Sequence, residues 1–97
     1  MSIRVAVSVE TKAGLGDRQL DAFAALTPPV RAEARCLQYD LHRVVDSEER
    51  FVILEHWESA AALAAHDEAP HMRDADAANK AFRAGPAVMM EPVLRRL

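Results

Sequence analysis

The side chains of this sequence best suited to chemistry fall in two stretches. Tyr39 lies in "RCLQYDLHRVV"; Glu55 and Trp57 lie in "FVILEHW", with His66 and His71 soon after. In an extended segment Phe51, Ile53, Glu55 and Trp57 share one face, and Val52, Leu54 and His56 share the other. Both faces are mostly apolar, so this strand should be covered on both sides. A carboxyl in such a place tends toward a raised pKa, which suits a general base and equally attends a buried ion pair. If Val45 opposes Phe51 in a hairpin, Tyr39 opposes Trp57 and Leu41 opposes Glu55. Tyr39, Glu55 and Trp57 then share a face that could line a pocket for a flat, polar-edged ligand. The same pattern also fits an aromatic pair that only stabilises the sheet, with Glu55 salt-bridged to an arginine.

The other reactive residues carry weaker signals. His66 and His71 sit roughly 140° apart around a continuous helix, with Pro70 between them. Paired zinc ligands on one helix are spaced i, i+4, so no metal site is expected. His66 could cap carbonyls at the negative end of a helix dipole, or act as an acid or base. His56 is expected to pair with Asp40 across the hairpin, and His42 to face a partner subunit. Cys36 has Arg35 beside it but no Cys-His motif, so it is not expected to be a nucleophile. Met89 and Met90 alternate faces, so at most one can line a pocket. No GxGxxG, phosphate loop or GxSxG occurs, which leaves nucleotide cofactors without a cradle.

These residues need a scaffold. Ile3, Val5, Val7 and Val9 alternate with Arg4, Ala6, Ser8 and Glu10, which predicts a strand. "TKAGLGD" breaks it, and Asp17 is expected to cap a helix in which Leu20, Phe23 and Ala24 keep helical spacing. Thr27-Pro28-Pro29 should restart that helix, with Thr27 as the new cap, running to about Ala34. Residues 35–45 and 51–57 read as two strands joined by the polar turn "DSEER". Ser59 should cap the helix "AAALAAH", and a further helical segment covers roughly residues 71–83. "AVMMEPVLRRL" reads as a last strand, with Pro92 at an edge or bulge. The order strand, helix, strand, strand, helix, strand predicts an α+β, ferredoxin-like βαββαβ fold with a four-stranded antiparallel sheet. Helices would cover one face. A second copy is the expected cover for the other, so a homodimer is predicted.

Composition sets the remaining bounds. Ninety-seven residues, about half of them apolar, make a single domain spanning 1–97. A formal charge of -3 argues against a nucleic-acid partner. The absence of a long apolar run argues against a membrane partner, and the start "MSIRVAVSVE" reads as a strand rather than a leader. With one cysteine, Cys36, no internal disulfide is possible and a cytoplasmic location is expected.

Taken together, "EARCLQYDLHR", "FVILEHWESAAALAAHDEAPHM" and the closing "EPVLRRL" resemble the antibiotic biosynthesis monooxygenase family, especially its quinol monooxygenase branch. The resemblance spans nearly the whole chain and implies a dimeric α+β barrel. It also implies oxygenation of small quinol-like or polyphenolic aromatics by O2, without flavin, haem or metal. By the same resemblance Glu55 or His66 would be the base, Trp57 a wall and hydrogen-bond donor, and Tyr39 a second polar aromatic. Phe51 and His71 would help to close the pocket. Family members often carry Glu-Pro-Gly-Cys before the second strand; Glu33-Ala34-Arg35-Cys36 keeps only the ends. Ile53 stands where the anthrone branch has Asn, and the first strand lacks the Asn of haem-degrading relatives, so the pattern points away from both activities. The same fold also hosts an isomerase and members with no known activity, so the alternatives for this chain are an isomerase of a small carbonyl substrate and a non-catalytic ligand-binding dimeric module.

Overall fold

The computed structural model describes residues 1–93; Leu94 to Leu97, the end of the last predicted strand and of "EPVLRRL", lie outside the described residues. The elements are β1 (Ile3–Glu10), α1 (Gly16–Arg31), β2 (Cys36–Arg43), β3 (Arg50–Trp57), α2 (Ala60–Glu68), α3 (Pro70–Asn79) and β4 (Val88–Met90). The four strands form one antiparallel sheet in the order β2-β3-β1-β4. This is the ferredoxin-like α+β arrangement that the alternating patterns predict.

Strand alternation decides which side chains go in. Val5, Val7 and Val9 of β1, Tyr39 of β2, and Phe51, Ile53, Glu55 and Trp57 of β3 are all buried under the helices. Val7 lies opposite Ile53 and Met89, so Met89 shares that face, while Met90 takes the other beside Ala6. The opposite face carries Leu54, Val88 and Met90, all exposed in the single chain. Among the described residues no helix is long and apolar enough to cross a membrane.

Several local expectations need correction. The hairpin register is two residues tighter than predicted: Arg43 opposes Phe51, Leu41 opposes Ile53 and Tyr39 opposes Glu55. Strand β2 stops at Arg43, and Val44 and Val45 join a longer turn in which Asp46 has a positive φ of 64°. An even slip keeps each residue on its face, so Tyr39, Glu55 and Trp57 remain on one side. A bulge between Cys36 and Gln38 then brings Cys36 opposite Trp57. His56 consequently meets Gln38 and not Asp40. Asp40 is taken by Arg31 Nη2 at 2.8 Å and Gln38 Nε2 at 3.0 Å.

Helix α1 does not restart at its prolines. Pro28 and Pro29 lie inside its last turn, where the carbonyls left without donors belong to exposed Ala24 and Ala25 and can bond water. Thr27 is not a cap; its hydroxyl donates back to the Phe23 carbonyl at 2.7 Å. Asp17 sits in the first turn with no capping bond from the preceding Leu15. The inward stripe is Gln19, Ala22, Phe23, Leu26 and Val30, with Leu20 and Ala24 turned outward. Ser59 caps α2 as predicted, its hydroxyl accepting from Ala62 N at 3.1 Å. Among the described residues the final strand covers Val88–Met90.

Candidate active site

Between the sheet and α1 and α3 lies a cavity of about 160 Å³. Val7, Phe23, Ile53, Met72 and Met89 make its apolar wall, and Tyr39, Glu55 and His66 open onto it. Tyr39 stacks on Phe23 with ring centroids 4.9 Å apart. Burial, reinforced by the Glu55 carboxyl, pushes the Tyr39 phenol well above its ordinary value. It therefore stays protonated, with a hydroxyl hydrogen to offer.

Glu55 is the unusual group. It is 5% exposed and has no arginine partner among the described residues. Its Oε1 accepts from Trp57 Nε1 at 2.9 Å, and His66 Nε2 stands 3.8 Å away. Burial pushes its carboxyl up, against the opposing pull of the Trp57 donor and the His66 ring. Trp57 does not line the cavity. It lies fully buried behind Glu55, with its ring 4.5 Å from that of His66.

The other edge of His66 leads outward. Its Nδ1 is 2.8 Å from Glu33 Oε2, and His71 Nε2 is 2.8 Å from the same oxygen. A carboxylate oxygen only accepts, so both imidazoles donate to it. Pro70 explains why the two histidines meet. The residue before proline avoids the helical region, and Ala69 takes φ -63°, ψ 141°, ending α2 and starting α3 in a new direction. The angle expected of a continuous helix therefore does not apply, and the spacing argument against joint ligation fails. Glu33, His66 and His71 place three potential ligand atoms within 4.8 Å of one another.

Glu33 is not among the site residues expected from the sequence, although it keeps the first position of the Glu-Pro-Gly-Cys pattern. It follows the C-terminus of α1, where Arg35 with φ 71° turns the chain into β2. Five polar residues of the cavity lie outside the expected set as well: Gln19, Asp67, Asp76, Asn79 and Arg83. Arg83 Nε donates to Gln19 Oε1 at 3.1 Å, and burial pushes its guanidinium down from the usual arginine range. Asp76 and Asn79 stand one turn apart on α3, a spacing visible in the sequence, whereas Arg83 comes from beyond the end of that helix, where it bridges Thr11.

The structure brings Tyr39, Glu55, Trp57 and His66 together and places His71 at their rim, where its side chain is 28% exposed. Phe51 lies elsewhere. It is buried at the far end of β3 under the Arg43 guanidinium, 5.4 Å from its ring centroid, and does not line the cavity. Ile53 does line it, so the position expected to separate this chain from the anthrone branch is a cavity position.

Solved structures share this architecture. A Pseudomonas aeruginosa protein is 26% identical with a TM-score of 0.81, over 96% of this chain and 95% of that one. A Mycobacterium tuberculosis protein is 23% identical with a TM-score of 0.83, over 98% of each chain. A structure named antibiotic biosynthesis monooxygenase is 24% identical with a TM-score of 0.86, over 99% of this chain and all of that one. No curated protein matches the sequence. The family described as antibiotic biosynthesis monooxygenase matches residues 2–78, and the chain belongs to it.

Proposed function

We propose that this protein is a monooxygenase that uses O2 to oxidise a small quinol-like or polyphenolic aromatic, with Glu55 as the base and no resident organic cofactor. The observation that carries this reading is a buried carboxyl of raised proton affinity opening, beside His66 and Tyr39, onto a small cavity with an apolar wall. A base whose pKa approaches the working pH transfers protons most effectively. A substrate hydroxyl at Glu55 gives up its proton, and the delocalised anion then reduces O2 directly. For a quinol the balance closes: four electrons leave the ring, one oxygen atom enters it to give a hydroxyquinone, and the other leaves as water. Tyr39 orients the substrate by hydrogen bonding, and the apolar wall excludes water.

Size narrows the substrate. A cavity of about 150 Å³ accepts a benzene-sized ligand, so about 160 Å³ suits a single ring. A three-ring anthrone needs more room, and Ile53 offers it no amide. The functional unit is proposed to be a homodimer, a second sheet covering Leu54, Val88 and Met90.

The test is O2 uptake on anaerobically prepared single-ring quinols, with product masses after reaction under labelled oxygen. Uptake above autoxidation, with one labelled atom in the product, supports the reading. A product of unchanged mass would move the protein to isomerase chemistry. Trp57 fluorescence quenching without turnover would make it a binding module.

A further inference from the structure

We propose that Glu33, His66 and His71 form a binding site for a divalent cation of the zinc class at the rim of the cavity. This inference does not depend on the monooxygenase reading. Two imidazoles and one carboxylate make a borderline donor set that favours zinc over calcium or magnesium. The three ligands come from separate parts of the fold: the turn after α1, the last turn of α2 and the first turn of α3. The chain therefore spends a proline break and a loop to bring them to one point.

The distances leave an adjustment. Glu33 Oε2 lies 2.8 Å from each nitrogen, and all three ligand atoms fall within 4.8 Å. Zinc bonds of about 2.0–2.1 Å set tetrahedral donors about 3.4 Å apart. To match that spacing the carboxylate must back away from each ring by about 0.6 Å, and the two ring nitrogens, up to 4.8 Å apart, must close by up to about 1.4 Å. Glu33 and His71 are partly exposed, at 16% and 28% of their side chains, so the ion can enter and water can complete the shell.

An independent feature lies on the inner side. A metal-bound histidine usually donates its remaining N–H to a carboxylate, which fixes its tautomer. Here the nitrogen of His66 that faces away from the cluster points at Glu55 Oε1, 3.8 Å away, and Trp57 and Tyr39 hold the ring. Metal on Nδ1 leaves the hydrogen of neutral His66 on Nε2, aimed at Glu55. Without metal, Glu33 draws that hydrogen to Nδ1. The ion would therefore determine which edge of His66 faces the cavity as a donor.

The experiment uses tag-free, chelator-treated full-length protein, titrated with Zn2+ by calorimetry and with Co2+ by visible absorption. One equivalent per chain, a raised melting temperature and the intense absorption of four-coordinate Co2+ are expected. His71→Ala should weaken binding by more than the about 10–100-fold that outer-shell changes cost, and Glu55→Gln by an amount within that range. Glu33→Gln, which preserves shape and can still accept a hydrogen bond, should also abolish tight binding and guards against misfolding of the alanine variant. Absence of saturable binding below about 1 mM, a weak association by any standard, would overturn the proposal. So would binding unchanged in both His71→Ala and Glu33→Gln, which would show an adventitious surface ion. Neither result bears on O2 uptake, so this site and the proposed reaction stand or fall separately.

Discussion

The two edges of the His66 ring face opposite environments. Inward, Nε2 meets Glu55 across 3.8 Å in a region where Glu55, Trp57 and Tyr39 are each 5% exposed or less. Outward, Nδ1 joins Glu33 and His71, two groups that reach solvent. Among the described residues the inner carboxyl has one close donor, and it is pushed toward its neutral form; the outer one accepts two imidazole hydrogens. A carboxyl short of donors in a dry site is suited to taking up a proton, and one saturated with donors is suited to holding other groups in place. The difference is one of hydration and donor number, since both residues are glutamate.

That contrast is most exposed to a change at Glu55. Glu55→Gln should lower kcat by about 10²–10⁴-fold, the usual contribution of a general base, with circular dichroism unchanged. A loss smaller than tenfold would remove Glu55 from the proton step. The stability profile offers a check that needs no substrate. A carboxyl raised in the folded state binds its proton more tightly there than in the unfolded chain. Stability should therefore fall as pH rises from the unfolded value of Glu55 through its folded value. Glu55→Gln should flatten that slope in denaturant titrations.

Trp57→Phe keeps a ring but removes the indole N–H that donates to Glu55. It should cost about 1–3 kcal/mol, and the acid limb of the rate profile should move to higher pH because Glu55 becomes harder to ionise. A limb that does not move would mean that the hydrogen bond leaves the base untouched. On the outer side effects should be smaller. In metal-stripped protein His71→Ala should cost about 0.5–1.5 kcal/mol for a partly exposed hydrogen bond and change kcat less than Glu55→Gln does. Equal losses in the two variants would collapse the distinction between the edges. Smallest is Arg35→Gly, just beyond Glu33. Arg35 holds φ 71°, a conformation costly to side-chain-bearing residues. Glycine there should stabilise the protein by up to about 1 kcal/mol in chemical denaturation and leave the inner edge unaffected.

Legibility in the sequence followed the range of the interactions. Alternation in Ile3–Val9 and Phe51–Trp57 fixes which side chains face inward, and that held even though the hairpin slipped by two residues. Ser59 caps its helix through a bond to a residue three places on, which a local pattern can reveal. Thr27 misled for the same reason: a hydroxyl before two prolines looks like a cap, but the prolines lie on the exposed side of α1, where Ala24 and Ala25 can bond water and the helix runs on. Phe51 shares a face with Glu55 and still lies off the cavity, because a face says nothing of position along the strand. His66 and His71 looked divergent only while their helix was taken as continuous.

By itself the sequence determined the element order, the two faces of each strand and the placement of Glu55 and Trp57 on one side, because these depend on backbone periodicity and neighbouring residues. Only the tertiary structure decided the hairpin register, the polar group of Gln19 and Arg83, and the meeting of Glu33 with two histidines far along the chain. Those depend on how the turn after Arg43 closes the strand pair and on how the ends of three helices dock over the sheet. Such contacts arise from packing between distant segments, which no local period encodes.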